Sequence, residues 1–174
     1  MAHAHRVLRH RLGFSVKFRR RNPRSILVLQ EQCRRGAVAP NHPLATQAGL
    51  LITLQAGGNA VDAAVAVAST LGVVEPMMSG LGGDGFYHVF MAGSGEAVVV
   101  NGTGPAPRAA TPERYANGIP VTGPLSVQTP GAVGAWGAMH QRFGRRAWDS
   151  LFEAAIHYAR EGFGAFGGIR PPAS

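Results

Sequence analysis

From Ala63 to Leu71 the chain reads AAVAVASTL, small and apolar residues without one charged side chain. A helix with no polar face has nothing to turn toward water, so it is expected to be covered on every side. The residues around it favour a helix. Gly57 and Gly58 stop an earlier helix that opens with Pro43 in its first turn and carries Ala48, Leu50, Leu51, Ile52 and Leu54. Asn59 then offers a side-chain oxygen to the exposed amides of the next helix, and Asp62 puts negative charge at the positive end of its dipole. The apolar run stops at Val74, before Glu75 and Pro76, and is too short and too alanine-rich to cross a bilayer. It reads as the core helix of a larger, layered protein.

After it come the glycines of 79–85 (SGLGGDG), then a strand over 86–91, a turn at Gly93 to Gly95, and a second strand over 97–100, the pattern of a hairpin. Gly80, Gly82 and Gly85 satisfy G-x-G-x-x-G. A dinucleotide site, however, needs a strand before those glycines and a helix after them, and here the order is inverted. They read instead as places of close backbone approach. Residues 101–107 form a loop by composition, and Thr111 with Pro112 opens a short helix through Tyr115. A helical pair follows over 130–143 and 147–161. In its second member Leu151, Ala154, Ala155, Tyr158 and Ala159 share one face expected to be buried, closed by Gly162. Beyond Gly164 all periodicity is lost, as at an abrupt end and not a completed element.

The net charge of +8 is concentrated at one end. Residues 1–36 hold ten of the 17 Lys and Arg and one acid, Glu31, so the remainder carries seven bases and eight acids, a net charge of −1. Such a basic run repels itself and has little to bury, which predicts a disordered extension over 1–36 and a domain over 37–174. Ile26 to Leu29 is too short for the apolar region of a secretory signal, so a cytoplasmic protein is expected. Cys33 is the single cysteine and pairs with nothing inside the chain. His42, His88, His140 and His157 are scattered, with no His-Glu-x-x-His, so neither a metal nor an organic cofactor is expected.

Three segments taken together closely resemble the γ-glutamyltransferase (glutathione hydrolase) family: 57–66 (GGNAVDAAVA), 72–76 (GVVEP) with 79–86 (SGLGGDGF), and 126–133 (SVQTPGAV). Their order and spacing match the start of that family's large subunit, and Trp148, Leu151 and Glu161 to Phe163 extend the match. The resemblance implies an α/β (α+β) fold, an incomplete αββα sandwich of the N-terminal nucleophile hydrolase type. It further implies a proenzyme that cuts itself to expose a threonine, whose own α-amino group serves as base for its hydroxyl. That nucleophile and the glycine-rich oxyanion segment lie downstream in the family. The chain is therefore expected to be an N-terminal fragment, silent alone, with a small-molecule amide as its partner only when the missing part is supplied.

Thr46, Thr53 and Thr70 lie in helical patterns and read as hydroxyls satisfied by the helix, not as nucleophiles. Thr103 marks a departure. In the transpeptidases the loop after the second strand reads Asp-Gly-Arg-Glu-Thr-Ala-Pro, whose arginine grips the substrate α-carboxylate. Aligned on Gly102, Ala106 and Pro107, that arginine falls on Thr103, and a neutral hydroxyl does not replace a bidentate cation. The resemblance then points to the acylase-like branch, with Arg108 read as an ordinary loop arginine. Two other readings stay open: a non-enzymatic protein using the basic tail on nucleic acid through phosphate neutralisation, and the product of a truncated gene. No membrane partner is expected.

Overall fold

The structure, a computed structural model, describes residues 36–164. The basic extension expected over 1–36, Cys33 included, thus lies almost wholly outside the described residues. Within them the architecture is mixed, four α-helices and one small antiparallel sheet. Helix α1 covers Pro43–Leu50, α2 Ala60–Val74, α3 Ala132–Phe143 and α4 Glu153–Glu161, while β1 (Phe86–Met91) and β2 (Glu96–Asn101) form the hairpin. Short 3-10 turns lie at Glu113–Tyr115, Pro124–Ser126 and Asp149–Phe152. Among the described residues no helix is long and apolar enough to cross a membrane.

Helix α2 is the hub, in contact with α1, α3 and α4. The inner side of α1 is built from Ala45, Ala48 and Gly49, all buried. A Cβ at Gly49 would press on Val67 of α2 and on Val38, so the small residue lets the two helices close on one another. On another side, Val61 and Val65 of α2 join Ala132, Trp136 and Met139 of α3 and Leu151 in one apolar cluster. Ser69 and Thr70, the polar residues of the charge-free stretch, return their hydroxyls to the carbonyl of Ala66 at 3.1 and 2.7 Å. Their burial therefore leaves no unpaired donor.

Three details correct the sequence-based expectations. The helix that opens at Pro43 does run toward Gly57, but after Leu50 it widens into a π-helical segment, Leu51–Gln55. There the Thr53 hydroxyl donates to the carbonyls of Gly49 and Leu50. Helix α2 is not covered on all sides, since Ala64 is exposed and Val67, Ala68 and Leu71 are half-buried. Its neighbours cover three sides and leave the line of Ala60 and Ala64 open. The helix expected over 147–161 begins only at Glu153, after the 3-10 turn Asp149–Phe152 that holds the buried Leu151; in α4 Ala155 is buried, Ala154 and Tyr158 are half-buried, and Ala159 is exposed.

The capping of α2 reaches further than its own first turn. Asn59 Oδ1 accepts from the amides of Val61 and Asp62 at 2.9 and 3.1 Å, and Asp62 Oδ2 accepts from the Asn59 amide at 2.9 Å, a reciprocal capping box. The same Asp62 carboxylate, with no exposed surface, accepts the amides of Arg145 at 3.0 Å and Arg146 at 3.4 Å. Asn59 Nδ2 donates to the Phe143 carbonyl at 2.6 Å. Residues 143–146 are thereby fastened to the start of α2. His140 lies alongside, its Nε2 donating to the Arg146 carbonyl at 2.7 Å and standing 3.7 Å from Asp62 Oδ1.

Candidate functional site

Three loops meet at one end of the hairpin: 79–85 before β1, 101–107 after β2, and 126–131 before α3. Their meeting is written in backbone atoms. The carbonyl of Gly83 accepts the amides of both Gly131 and Ala132 at 3.1 Å, satisfying donors of the first turn of α3 that the helix cannot pair for itself. The Gly102 amide donates to the Gly85 carbonyl at 2.8 Å, which extends the hairpin ladder by one step. Glycine is obligatory at two points of contact. A Cβ at Gly104 would run into the Thr129 carbonyl, and one at Gly131 into the carbonyl of Gly102.

The glycines singled out from sequence are only partly the crowded ones. Gly85 is tight, a Cβ there falling 2.7 Å from the Tyr87 hydroxyl, but Gly80 and Gly82 have open space where a side chain would be. The closest approaches involve Gly104 and Gly131, which lie in loops and gave no local sequence signal beyond being glycine. What presses on a glycine is set by a segment distant in the chain, here about 25 residues away, and composition does not reveal it.

Thr103 stands between Gly102 and Gly104. Its amide donates to Asn101 Oδ1 at 2.9 Å, a local turn that fixes the loop, while the residue itself is exposed. Arg108 is exposed in the turn closed by the Ala110 amide on the Pro107 carbonyl at 2.8 Å, and among the described residues no acid forms a salt bridge with it. The structure therefore places Thr103 at an ordered, solvent-facing position and leaves Arg108 a loop arginine five positions on. The threonines Thr46, Thr53 and Thr70 are occupied as the sequence suggests. Each hydroxyl donates to a helix carbonyl, at 3.2 Å to His42, 3.0 Å to Gly49 and 2.7 Å to Ala66.

A cleft of about 590 Å³ adjoins the junction, walled by Ser79, Gly80, Asp84, Tyr87 and Trp136, with Leu71 of α2. Thr103 does not line it. Trp136 Nε1 donates to the Tyr87 hydroxyl at 2.8 Å, an interaction across the apolar cluster that the sequence gave no means of pairing. Burial raises the Tyr87 pKa above its ordinary value of 10.0; the Trp136 hydrogen bond pulls it down and the negative charge of Asp84 pushes it up further. The phenol is thus a neutral group near pH 7.

The four histidines fall in separate places. His42 caps α1 by accepting the Leu44 amide at 3.2 Å, His88 is exposed on β1, His140 belongs to the Asp62 network, and His157 is exposed on α4. No functional cluster brings them together.

The chain matches the family described as gamma-glutamyltranspeptidase over residues 45–165. It is 41% identical over 129 residues to the glutathione hydrolase-like YwrD proenzyme of Bacillus subtilis, covering 72% of this chain and 24% of that protein. It is 40% identical over 142 residues to the acylase ACY 1 proenzyme of a Pseudomonas species, covering 74% of this chain and 25% of that protein. Among solved structures it is similar to the gamma-glutamyltranspeptidase of Helicobacter pylori, with a TM-score of 0.71 and 32% identity over 76% of this chain and 40% of that one. The chain spans about a quarter of the length of the curated relatives it matches.

Proposed function

We propose a function from one premise, that the chain belongs to the gamma-glutamyltranspeptidase family, whose matched members include glutathione hydrolases and acylases. The chain is the N-terminal part of the large subunit of an amide hydrolase of the N-terminal nucleophile type. Its hairpin belongs to one sheet of an αββα sandwich, and its substrate is a small-molecule amide. In this reaction a threonine hydroxyl, deprotonated by its own α-amino group, attacks the amide carbonyl. Backbone amides stabilise the oxyanion, the amine leaves, and water releases the acyl group. None of Thr46, Thr53 and Thr70 serves as that nucleophile, because each is bonded inside a helix with a peptide on its N-terminal side. This chain contributes scaffold and substrate recognition, and the reacting hydroxyl comes from the remainder of the enzyme.

The observation that carries the reading is the junction of the glycine loops, because it joins two segments of the family pattern, 79–86 and 126–133, to the loop that carries position 103. An arginine there would pair with a substrate carboxylate through charge-assisted bonds; the threonine supplies one neutral hydroxyl. The preferred acyl group therefore lacks the α-carboxylate of a γ-glutamyl unit, as in an acylase.

The test is hydrolysis of γ-glutamyl anilide against an anilide of a plain dicarboxylic or aliphatic acid. Purified chain alone is expected to turn over neither. Co-expressed with the remainder of the Bacillus subtilis YwrD proenzyme as a separate chain, it is expected to cleave the plain anilide in preference. Thr103→Arg is expected to shift the preference toward γ-glutamyl anilide by about tenfold or more, the worth of roughly one charge-assisted bond. Turnover by the chain alone, or a γ-glutamyl preference that Thr103→Arg leaves unchanged, would overturn the assignment.

A further inference from the structure

Position 103 is mounted between two neighbours that are fixed through backbone alone. Gly102 is buried, its amide donates to the Gly85 carbonyl at 2.8 Å, and a Cβ on it would fall 2.7 Å from Ala135 and 3.1 Å from the Tyr87 ring. Gly104 lies so near the Thr129 carbonyl that no side chain fits between them. These contacts set where the loop runs. They leave open how the peptide joining Gly102 to Thr103 is turned about its own axis, because a glycine on one side of a peptide permits a wide range of rotation.

Each end of that peptide has a neighbour. On the carbonyl side, the Gly102 oxygen stands against Gly131, where a Cβ would collide with it. Such a contact limits rotation in one direction and attracts nothing. On the amide side, the Thr103 N–H reaches no backbone carbonyl among the described residues and donates to Asn101 Oδ1 at 2.9 Å. Asn101 is the last residue of β2 and is paired with Phe86, so its own backbone is held by the sheet. A side-chain oxygen on a fixed strand end, accepting from the amide two residues on, closes an Asx turn. Turning this peptide also turns the Cα–Cβ bond of residue 103, so the Asn101 oxygen controls where that side chain points. Asn101 is itself exposed, and replacing it removes no core contact.

We propose that Asn101 is a positioning residue for substrate recognition: its Oδ1 holds the 102–103 peptide so that the side chain at position 103 keeps one direction toward the acyl group of the substrate. This rests on the reading that position 103 selects the acyl group of an amide. The demand is greatest for a long side chain at 103, since a small rotation at Cα swings a guanidinium farther than a hydroxyl and a bidentate pair needs closer alignment. Aspartate offers an acceptor of the same reach and alanine offers none, so the two substitutions separate the hydrogen bond from everything else at position 101.

Amide hydrogen exchange on the full chain tests the hold on residue 103. Asn101→Ala is expected to speed exchange at Thr103 by about fivefold, roughly the worth of one such bond, with Gly102 unchanged, whereas Asn101→Asp keeps Thr103 slow. Kinetics of the chain co-expressed with the remainder of the YwrD proenzyme test the consequence. In the Thr103→Arg enzyme, Asn101→Ala is expected to raise KM for γ-glutamyl anilide by about fivefold with kcat kept, because the α-carboxylate gripped at 103 takes no part in breaking the amide bond. With threonine at 103 the same substitution should move KM by less than about twofold, and Asn101→Asp should retain the low KM of the Thr103→Arg enzyme. A merely structural role would shift KM alike in both backgrounds or lower kcat. Either of those results, or unchanged exchange at Thr103 in Asn101→Ala, would overturn the proposal. Exchange that responds as expected while no anilide is cleaved would leave the hold on residue 103 standing and sink the amide-hydrolase reading instead.

Discussion

Asp62 has no exposed surface and is held by the amides of Asn59, Arg145 and Arg146. Phe86 and Phe90, two of the chain's largest apolar side chains, stand mostly in the open on the outer face of the hairpin. Ordinary folding would do the reverse, because a carboxylate is costly to bury and a phenylalanine gains about 1.5–3 kcal/mol when it is fully covered. The contrast teaches that the two regions are complete to different degrees. The start of α2 finds all its partners within the described residues, including the 143–146 turn that its sequence neighbours could not supply. The hairpin finds partners on one face only, Tyr87, Val89 and Val100 packing against the cluster around Trp136. What its outer face withholds, a few kcal/mol, is a large fraction of the margin of stability of a small domain.

The sharpest way to break this contrast is Asp62→Ala. It strips the buried acceptor from the amides of Asn59, Arg145 and Arg146, and a loss of about 2–4 kcal/mol is expected in urea unfolding. A loss below about 1 kcal/mol would mean that the 143–146 turn is held by something else. Trp136→Phe is the next largest. It keeps the ring in the core but removes the donor to the Tyr87 hydroxyl, and about 1–2 kcal/mol should be lost.

Smaller still is an alkaline effect at the same pair. The Tyr87 pKa is raised in the folded chain, so the folded state holds the phenolic proton more tightly than the unfolded one does. Its contribution is fully present below pH 10.0 and is lost as pH rises through the higher folded value. Tyr87→Phe should flatten that alkaline limb, read as melting temperature against pH between about 9 and 11. Smallest in stability is Phe90→Ser, expected to change unfolding by no more than about 0.5 kcal/mol because the side chain is already exposed. Its effect should appear as reduced self-association in light scattering. A loss as large as that of a core residue would show the outer face to be covered after all.

The elements that were legible in the sequence are those set by local chemistry. Pro43, the glycine pair 57–58, Asn59 and Gly162 mark helix ends wherever they fall, and two β-rich stretches around the turn at Gly93 to Gly95 give the hairpin, though not its register. What was not legible depends on distant partners. Asp62 could be read as a favourable charge in the first turn of α2, but nothing in its surroundings points to Arg145, 83 residues away. The exposure of Ala64 was hidden for a similar reason. A charge-free helix announces that cover is needed, not which residues provide it. At the candidate site, Thr103 was visible as a departure from the family pattern, whereas the crowding at Gly104 and Gly131 appeared only with the loops in place.

Gly102 and Gly104 make the 101–107 loop a bracket with an interchangeable head. Gly102 is fastened to Gly85 and Gly104 lies flush against Thr129, while the residue between them projects freely. A mutation at position 103 can therefore change the exposed side chain without rebuilding the loop that carries it.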